Sequence, residues 1–233
     1  MKKLAIFVEG QTEQIFIDKF LREFISNSTL SIESVEASGG KKCPRFTEII
    51  ASDTVTPDTK YYVLIFNSCT DNRVISDIRE RYNDLKENGY SSFIGLRDLY
   101  PKYLYSEKDE AIEDSQLVLG NFENTTFIYA TMEIETWFIA ELNHYSNIDT
   151  NLTLTKIKDE LSLDLENIAN IECFMVEPAK KLHQIYQLVN LNYRKNSDMT
   201  IDSLDYKNLY CETRHKIPSL NQLITELDNF FSE

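Results

Sequence analysis

Residues 4–13 read Leu-Ala-Ile-Phe-Val-Glu-Gly-Gln-Thr-Glu, and this stretch decides the fold class that the sequence predicts. Its first five residues are all apolar, which is typical of a strand that is buried on both faces of a parallel sheet. Gly10 permits a tight turn, Thr12 suits a helix N-cap, and apolar residues recur at helical spacing from Ile17 to Phe24. The stretch therefore predicts a strand, an acidic turn and a helix in succession.

The acidic turn carries two glutamates, Glu9 at the end of the strand and Glu13 in the first turn of the helix. Ligands of open α/β sheets bind beyond the carboxyl ends of the strands, so Glu9 is a candidate catalytic residue and metal ligand. Alternatively, Glu9 is solvated or accepts backbone hydrogen bonds, and Glu13 only interacts favourably with the helix dipole. Spacing alone leaves both interpretations open.

The composition describes a globular chain of 233 residues, long enough for one domain with an appendage or for two small domains. Its four cysteines form no Cys-x-x-Cys pair and have no histidine at zinc-ligand spacing, which suits a reducing cytoplasm. The apolar run before Glu9 is too short for a signal peptide, and no run approaches the length of a membrane span. We therefore expect a cytoplasmic protein that does not associate with a membrane.

The net charge of −14 bears on the partners of the chain. An acidic surface repels the phosphate backbone, which argues against autonomous, tight binding of nucleic acid. Two arrangements would still allow the chain to act on nucleic acid. Carboxylates can hold Mg²⁺, which then supplies the positive charge, or a partner subunit can provide the basic surface.

A second strand and turn repeat the design of the first. Residues 61–66 are strongly apolar, and a helix is predicted from about residue 73 to residue 87. The turn between them contains Asn67, whose carbonyl oxygen can bind Mg²⁺, and Asp71, a candidate catalytic residue and metal ligand. Asp71 is equally suited to be the N-cap of the following helix.

Two further strands, residues 91–96 and 125–130, also precede acidic residues. A right-handed crossover would make the third strand parallel to the second and would place Asp98 on the same rim as Glu9 and Asp71. Glu133 and Glu135 follow the fourth strand, and they face one way only if that strand persists. Strand-end aspartates also close ordinary turns, so Asp98 alone would mean little.

The remaining segments complete the predicted organisation. Residues 30–37 alternate as a half-buried strand near an edge, Phe46 to Ser52 is predicted to be a short helix, and residues 144–155 a polar loop. No buried strand is expected after about residue 143. We therefore predict an α/β domain at residues 1–142, with a largely parallel sheet flanked by helices, and a C-terminal α-helical extension at residues 143–233 packed on it.

A few basic residues stand out in this acidic chain as candidates for contact with a phosphate backbone. They lie in the loop before Pro44 and around the helix that begins near Pro178, and they are Lys41, Lys42, Lys180, Lys181 and Arg194. The alternatives are an ordinary solvated loop and a solvated or partner-facing helix surface.

Two separated motifs carry a resemblance to a known family. Val-Glu-Gly-Gln-Thr-Glu at residues 8–13 and Glu-Ile-Glu-Thr-Trp at residues 133–137 resemble a bacterial family of uncharacterised TOPRIM-like proteins, related to OLD-type and other defence nucleases. On this pattern Glu135 is favoured over Glu133. The resemblance implies a TOPRIM-like fold in which the glutamate after the first strand serves Mg²⁺-dependent chemistry on phosphodiesters.

The resemblance also assigns roles. It implies a nuclease that uses Mg²⁺ or Mn²⁺, with Glu9 as metal ligand or general base, Asp71 and Asp98 supplementing the metal site, and Glu13 and Glu135 supporting it. Nucleic acid would be the substrate, and a partner ATPase in bacterial anti-phage defence is expected. Whether the chain forms a homodimer is left open.

One departure from the family pattern supports an alternative. TOPRIM folds carry an Asp-x-Asp pair after the second strand of this design, whereas residues 67–69 read Asn-Ser-Cys. Asparagine lacks the charge of a carboxylate, and a thiol is a poor ligand for a hard cation. The alternative function is therefore a catalytically degenerate module that binds a partner protein or senses a ligand.

Overall fold

The computed structural model describes residues 1–40, 43–70, 72–195 and 198–232. Six strands of these residues form one sheet: β1 Lys2–Val8, β2 Leu30–Ser38, β3 Phe46–Ser52, β4 Tyr61–Asn67, β5 Tyr90–Asp98 and β6 Thr125–Ala130. The helices that alternate with these strands are α1 Gln11–Phe24, α2 Val74–Glu87 and α3 Lys108–Leu119.

The chain after β6 is helical wherever it has regular structure in the described residues. Its helices are α4 Glu135–Ala140, α5 His144–Ile148, α6 Leu154–Leu161, α7 Ile171–Phe174, α8 Pro178–Gln187, α9 Asp198–Ser203, α10 Tyr206–Cys211 and α11 Pro218–Ser232. None of the helices in the described ranges is long and apolar enough to cross a membrane.

The strand order is β3-β2-β4-β1-β5-β6. Pairing is parallel between β1 and β4, between β1 and β5 and between β2 and β4, whereas the β2–β3 pair is antiparallel. The Phe93 N–H group donates to the carbonyl of Asn124, which precedes β6, and the N–H group of Leu99, which follows β5, donates to the Ala130 carbonyl. Because both segments advance in the same direction between these two bonds, β5 and β6 are parallel. The predicted α/β class, with a largely parallel sheet, helices and a helical C-terminal region, is confirmed.

The prediction for residues 46–52 was wrong, because this segment is the edge strand β3 rather than a short helix. It pairs with β2 along the register from Glu33–Ser52 to Ser38–Phe46, and its β-branched residues suit that extended backbone. Residues 144–155 are not a continuous loop either, since α5 and the start of α6 fall within them.

The described chain divides into two compact units. The sheet unit comprises Met1–Arg97, Asp109–Tyr129 and the chain from Glu226, and the helical unit comprises Asp98–Lys108 and Ala130–Thr225. The boundary between residues 142 and 143 stays a prediction.

Side chains on one face of the sheet form a core cluster of the sheet unit. Ala5 and Phe7 of β1 pack there with Val74, Ile78 and Tyr82 of α2, and all of them are buried. Because side chains alternate along a strand, Leu4, Ile6 and Val8 point to the opposite face, where they are fully buried as well. Burial on both faces explains why β1 is uniformly apolar.

Gly95 in β5 supplies a direct test of this packing. A Cβ atom at this position would lie 2.4 Å from Cδ2 of Phe127 and 2.9 Å from Cδ1 of Ile78. We expect Gly95→Ala to lower the free energy of unfolding by about 1–3 kcal/mol, because neighbouring side chains must leave their packed positions. Urea denaturation measures the change. Ser91→Ala, at an exposed position of the same strand, is the control, and equal unfolding midpoints for both variants would contradict the packing.

Candidate metal centre

Three acidic residues of the helical unit form a compact cluster, which we call the acidic triad: Asp98, Glu133 and Glu135. One carboxylate oxygen from each lies within 4.8 Å of the other two. The exposed fraction is 5 % for Asp98 and zero for Glu135, while the Glu133 side chain is 13 % exposed. Such a concentration of buried acidic groups favours compensation by a cation or by protonation.

The backbone brings the three residues together from two segments of the chain. Asp98 is the last residue of β5, and Glu135 is the first residue of α4, five positions after the end of β6. Hydrogen bonds from Leu99 N–H to the Ala130 carbonyl, 3.0 Å, and from Tyr100 N–H to the Met132 carbonyl, 2.8 Å, hold these segments side by side. The triad is therefore positioned where two neighbouring parallel strands end.

The turn before α4 has an unusual backbone conformation. Met132 has a φ of 65°, in the left-handed region that bulky side chains rarely adopt. The Ile134 N–H group donates a hydrogen bond of 2.9 Å to Oδ1 of Asp98. Strained backbone of this kind persists where the surrounding contacts determine it, and such residues cluster at functional sites.

Neighbouring donors orient one oxygen of each triad carboxylate. Besides the bond to Asp98, the Ala179 N–H group in the first turn of α8 donates to Oε2 of Glu133 at 2.9 Å. The Tyr193 hydroxyl donates to Oε1 of Glu135 at 2.6 Å. Hydrogen bonds of this type hold the carboxylate ligands of metal sites in a fixed orientation.

The second oxygen of Glu135 distinguishes the triad from an ordinary hydrogen-bonded cluster. Oε2 of Glu135 is fully buried and accepts no hydrogen bond from any described residue. Burial raises the pKa of Glu135, although Lys195 and the Tyr193 hydroxyl act in the opposite direction. An unsatisfied buried carboxylate oxygen is costly, so this atom indicates a place for a ligand that the protein itself does not supply.

Lys195 forms ion pairs with two carboxylates of the triad. Its ammonium nitrogen lies 3.1 Å from Oε1 of Glu133 and 3.7 Å from Oε1 of Glu135, and its side chain is 49 % exposed. Desolvation lowers the pKa of Lys195, but attraction to Glu135, Asp98 and Glu133 outweighs it, so the pKa is raised overall. The ammonium is therefore fully charged at neutral pH.

The triad as a whole offers the chemistry that Mg²⁺ or Mn²⁺ requires. Both are hard cations that prefer carboxylate oxygens, and Mg²⁺ commonly uses a few carboxylates together with water and substrate phosphates. The charge of Lys195 offsets one of the three carboxylate charges of the triad. The cluster could therefore hold a divalent ion, which is the part of the cofactor prediction that the geometry supports.

Two predicted site residues, Asp98 and Glu135, are thus members of one cluster, and Glu133 is a third member that the site prediction left out. The signal for Glu133 was in the sequence, since the two glutamates are separated by one residue. Whether Glu133, Glu135 or both belong to the site depends on where β6 ends and α4 begins. That boundary is not fixed by residue spacing.

Glu9 and Glu13 belong to the sheet unit. Glu9 follows β1 and is partly exposed. Glu13 is 5 % exposed, and its Oε2 accepts a hydrogen bond of 2.9 Å from the N–H of Gly10, which is the N-cap of α1 in place of Thr12. This contact gives Glu13 a capping role, and the catalytic roles of both glutamates stay predictions.

Asn67 ends β4 and is 2 % exposed. Its Oδ1 accepts a hydrogen bond of 2.9 Å from the Cys69 N–H group, and its amide nitrogen lies 3.5 Å from Oε1 of Gln14. Gln14 in turn donates to the carbonyls of Val35 and Ile65, both at 3.2 Å. These contacts give Asn67 a structural role at the end of the sheet, and its role as a metal ligand stays a prediction.

Three of the proposed site residues, Asp71, Lys41 and Lys42, lie outside the described residues. Lys180 is exposed and pairs with Glu177, Lys181 is partly exposed, and Arg194 is exposed. Contact of these basic residues with nucleic acid stays a prediction.

The mixed α/β fold, the mostly parallel six-stranded sheet and the buried acidic cluster are the parts of the TOPRIM resemblance that the structure supports. No family model, curated protein or solved structure matches the chain in comparisons with known proteins.

Proposed function

We propose that the chain is a TOPRIM-like nuclease that depends on Mg²⁺ or Mn²⁺ and cleaves phosphodiester bonds at the acidic triad. The observation that carries the proposal is the geometry of Asp98, Glu133 and Glu135, with oxygens within 4.8 Å of one another and one buried oxygen without a partner among the described residues. Buried carboxylates that converge in this way favour a divalent ion over a solvated acidic surface.

Each residue of the site has a role in the proposal. Asp98, Glu133 and Glu135 bind the ion, and the donors from Ile134, Ala179 and Tyr193 keep the carboxylates in place. A bound divalent ion would stabilise charge on the phosphoryl oxygens and lower the pKa of a bound water. Glu9 belongs to the sheet unit, and the role that the resemblance implies for it stays a prediction.

The net charge supports the second part of the proposal, a partner protein. A chain with a charge of −14 repels nucleic acid over most of its surface. We propose that a partner ATPase in a bacterial anti-phage system delivers the nucleic acid and controls cleavage. The isolated chain would then bind metal readily and cleave slowly.

Asp98→Asn tests the cleavage site. Asparagine keeps the side-chain oxygen that accepts the Ile134 N–H group but removes the charge, so the fold should be retained while metal binding weakens. We expect wild-type protein to nick supercoiled DNA or cut structured RNA with Mg²⁺ or Mn²⁺ and to lose this activity with EDTA. The variant should be at least about a hundredfold slower, the scale of losing one charge-stabilising group.

Metal binding must be measured alongside cleavage, since the isolated chain is expected to be slow. Calorimetric titration with Mn²⁺ should show one tight site in the wild type and a weaker one in Asp98→Asn. Equal affinities in the two proteins would contradict a metal site at the triad, whatever the cleavage assay shows.

One observation favours a second candidate function, the non-catalytic module. Lys195 already occupies one side of the triad, at 3.1 Å from Glu133 and 3.7 Å from Glu135. In a degenerate site this lysine would be the permanent counter-charge. Such a protein would show no change in thermal stability with saturating Mn²⁺, whereas the nuclease proposal requires stabilisation.

A further inference from the structure

Lys195 stands apart from the other groups that contact the triad. Tyr193 is buried, and the donor of Ala179 is a backbone N–H group, whereas the Lys195 side chain is 49 % exposed. It lies in the segment between α8 and α9 rather than in either helix. A long, partly exposed side chain at such a position can move its charged end into water.

A lysine ammonium and a divalent ion would compete for the same oxygen. Oε1 of Glu133 is 3.1 Å from the ammonium nitrogen, while Oε2 of the same carboxylate is already held by Ala179. If the triad held a metal ion through this oxygen, the ion and the ammonium would be two like charges close to one another. This repulsion would weaken the contact between the Lys195 ammonium and Glu133.

We propose that Lys195 is a displaceable counter-cation: it holds the empty triad together, a divalent metal ion displaces it from Glu133, and the released ammonium then attracts the phosphate of the substrate. The inference rests on the proposed function of the triad and adds a residue that regulates metal loading and positions substrate.

Charge explains why a released lysine would be useful. Three carboxylates with one divalent ion keep one net negative charge, which repels a phosphodiester. The Lys195 ammonium offsets this charge, and an incoming phosphate would meet a cation whose side chain is partly exposed. In the empty protein the same ammonium reduces repulsion among the buried carboxylates.

Lys195→Met tests the displacement step. Without a competitor, Mn²⁺ should bind about fivefold or more tightly by calorimetry, which corresponds to the loss of one partly exposed ion pair. Lys158→Met is the control because it removes an exposed lysine of the helical unit that pairs with Asp164. The control should bind Mn²⁺ within about twofold of the wild type.

Lys195→Arg separates displacement from a general effect of nearby charge. Arginine donates two parallel hydrogen bonds to a carboxylate and should be harder to displace than lysine. Mn²⁺ should therefore bind Lys195→Arg more weakly than it binds the wild type. If the wild type and Lys195→Arg bind Mn²⁺ with equal affinity, displacement is overturned, even if Lys195→Met binds Mn²⁺ more tightly. Unchanged affinity in Lys195→Met would overturn it as well.

Oligonucleotide binding tests the substrate step. With saturating Mn²⁺ and a fluorescent single-stranded DNA, Lys195→Met should bind several-fold more weakly than the wild type, and Lys195→Arg should bind similarly. Equal binding by the wild type and Lys195→Met would overturn this step. If the wild type binds no Mn²⁺, the proposed function itself fails, and that result is distinct from a wild type that binds Mn²⁺ with the same affinity as Lys195→Met.

Discussion

Glu135→Gln is expected to change the stability of the protein in opposite directions with and without metal. In EDTA the variant should be more stable than the wild type, because desolvation penalises the charged form of the buried carboxyl group. With Mn²⁺ at a hundred times its dissociation constant, the wild type should gain about 2.7 kcal/mol, and the variant should gain almost none. The rate of phosphodiester cleavage should also be lower in Glu135→Gln than in the wild type.

The first half of this expectation follows from burial. Glu135 has no exposed surface, and its pKa is raised because desolvation penalises the charged form. A folded-state pKa above the unfolded value means that the ionised group destabilises the fold at neutral pH. Glutamine has the same shape, stays uncharged and can still accept the hydrogen bond from Tyr193.

The second half follows from charge on the metal ligand. A neutral amide oxygen binds Mg²⁺ or Mn²⁺ far more weakly than a carboxylate does. Thermal denaturation in EDTA and in Mn²⁺ measures both halves in one experiment. Glu160→Gln, at an exposed position of α6, is the matched control and should behave as the wild type in both conditions. Full metal stabilisation of Glu135→Gln would show that Glu135 is not a ligand.

The fold was predictable where a single physical requirement dominates the sequence. Strands buried on both faces must be largely apolar, so β1 and β4 were recognised from their composition. The edge strand β6 is only partly buried in its first half, and it matches the predicted residues 125–130. The edge strand β3 was missed because all seven of its residues are exposed, so burial imposes no pattern on them.

The candidate site was predictable only in part, for a different reason. Asp98 was singled out because acids that follow strands of a parallel sheet converge at one end of it, whereas Glu135 was singled out on the family resemblance alone. Lys195 and Tyr193 come from a segment about 60 positions later in the chain, and their contacts with Glu133 and Glu135 depend on how the helical unit packs. Residue spacing carries no information about such long-range contacts.

His144 gives the second large expectation, a loss of stability in mild acid. Its ring is fully buried, and burial lowers the pKa of His144 to about 4, against 6.5 for an ordinary histidine. The ring Nδ1 hydrogen-bonds to the Glu141 carbonyl, and Nε2 has no partner among the described residues. A proton on this ring would therefore be buried without compensation at one of its two nitrogens.

The neighbours of His144 set the rest of its environment. Tyr145 and Tyr186 pack near the ring, with centroids at 3.9 and 6.1 Å. The nearest charge is Glu141, whose Oε2 lies 3.8 Å from Nδ1. Burial raises the pKa of Glu141, while its hydrogen bonds, first that from Asn208, oppose the shift. As pH falls, protonation of Glu141 therefore favours the folded state and partly offsets the effect of His144.

The sign of the His144 effect follows from proton binding. Between pH 6.5 and about 4 the unfolded chain binds a proton at this residue and the folded chain does not, so the free energy of unfolding falls as pH falls. The full contribution is about 3 kcal/mol, from 1.36 kcal/mol for each unit of pKa shift.

Urea denaturation at intervals from pH 7.5 to pH 4 should show the loss in the wild type. His144→Gln, which does not titrate, should start less stable and lose less over the same range, because the carboxylates common to both proteins cancel in the comparison. Parallel losses in the two proteins would mean that the buried ring is not the origin of acid sensitivity.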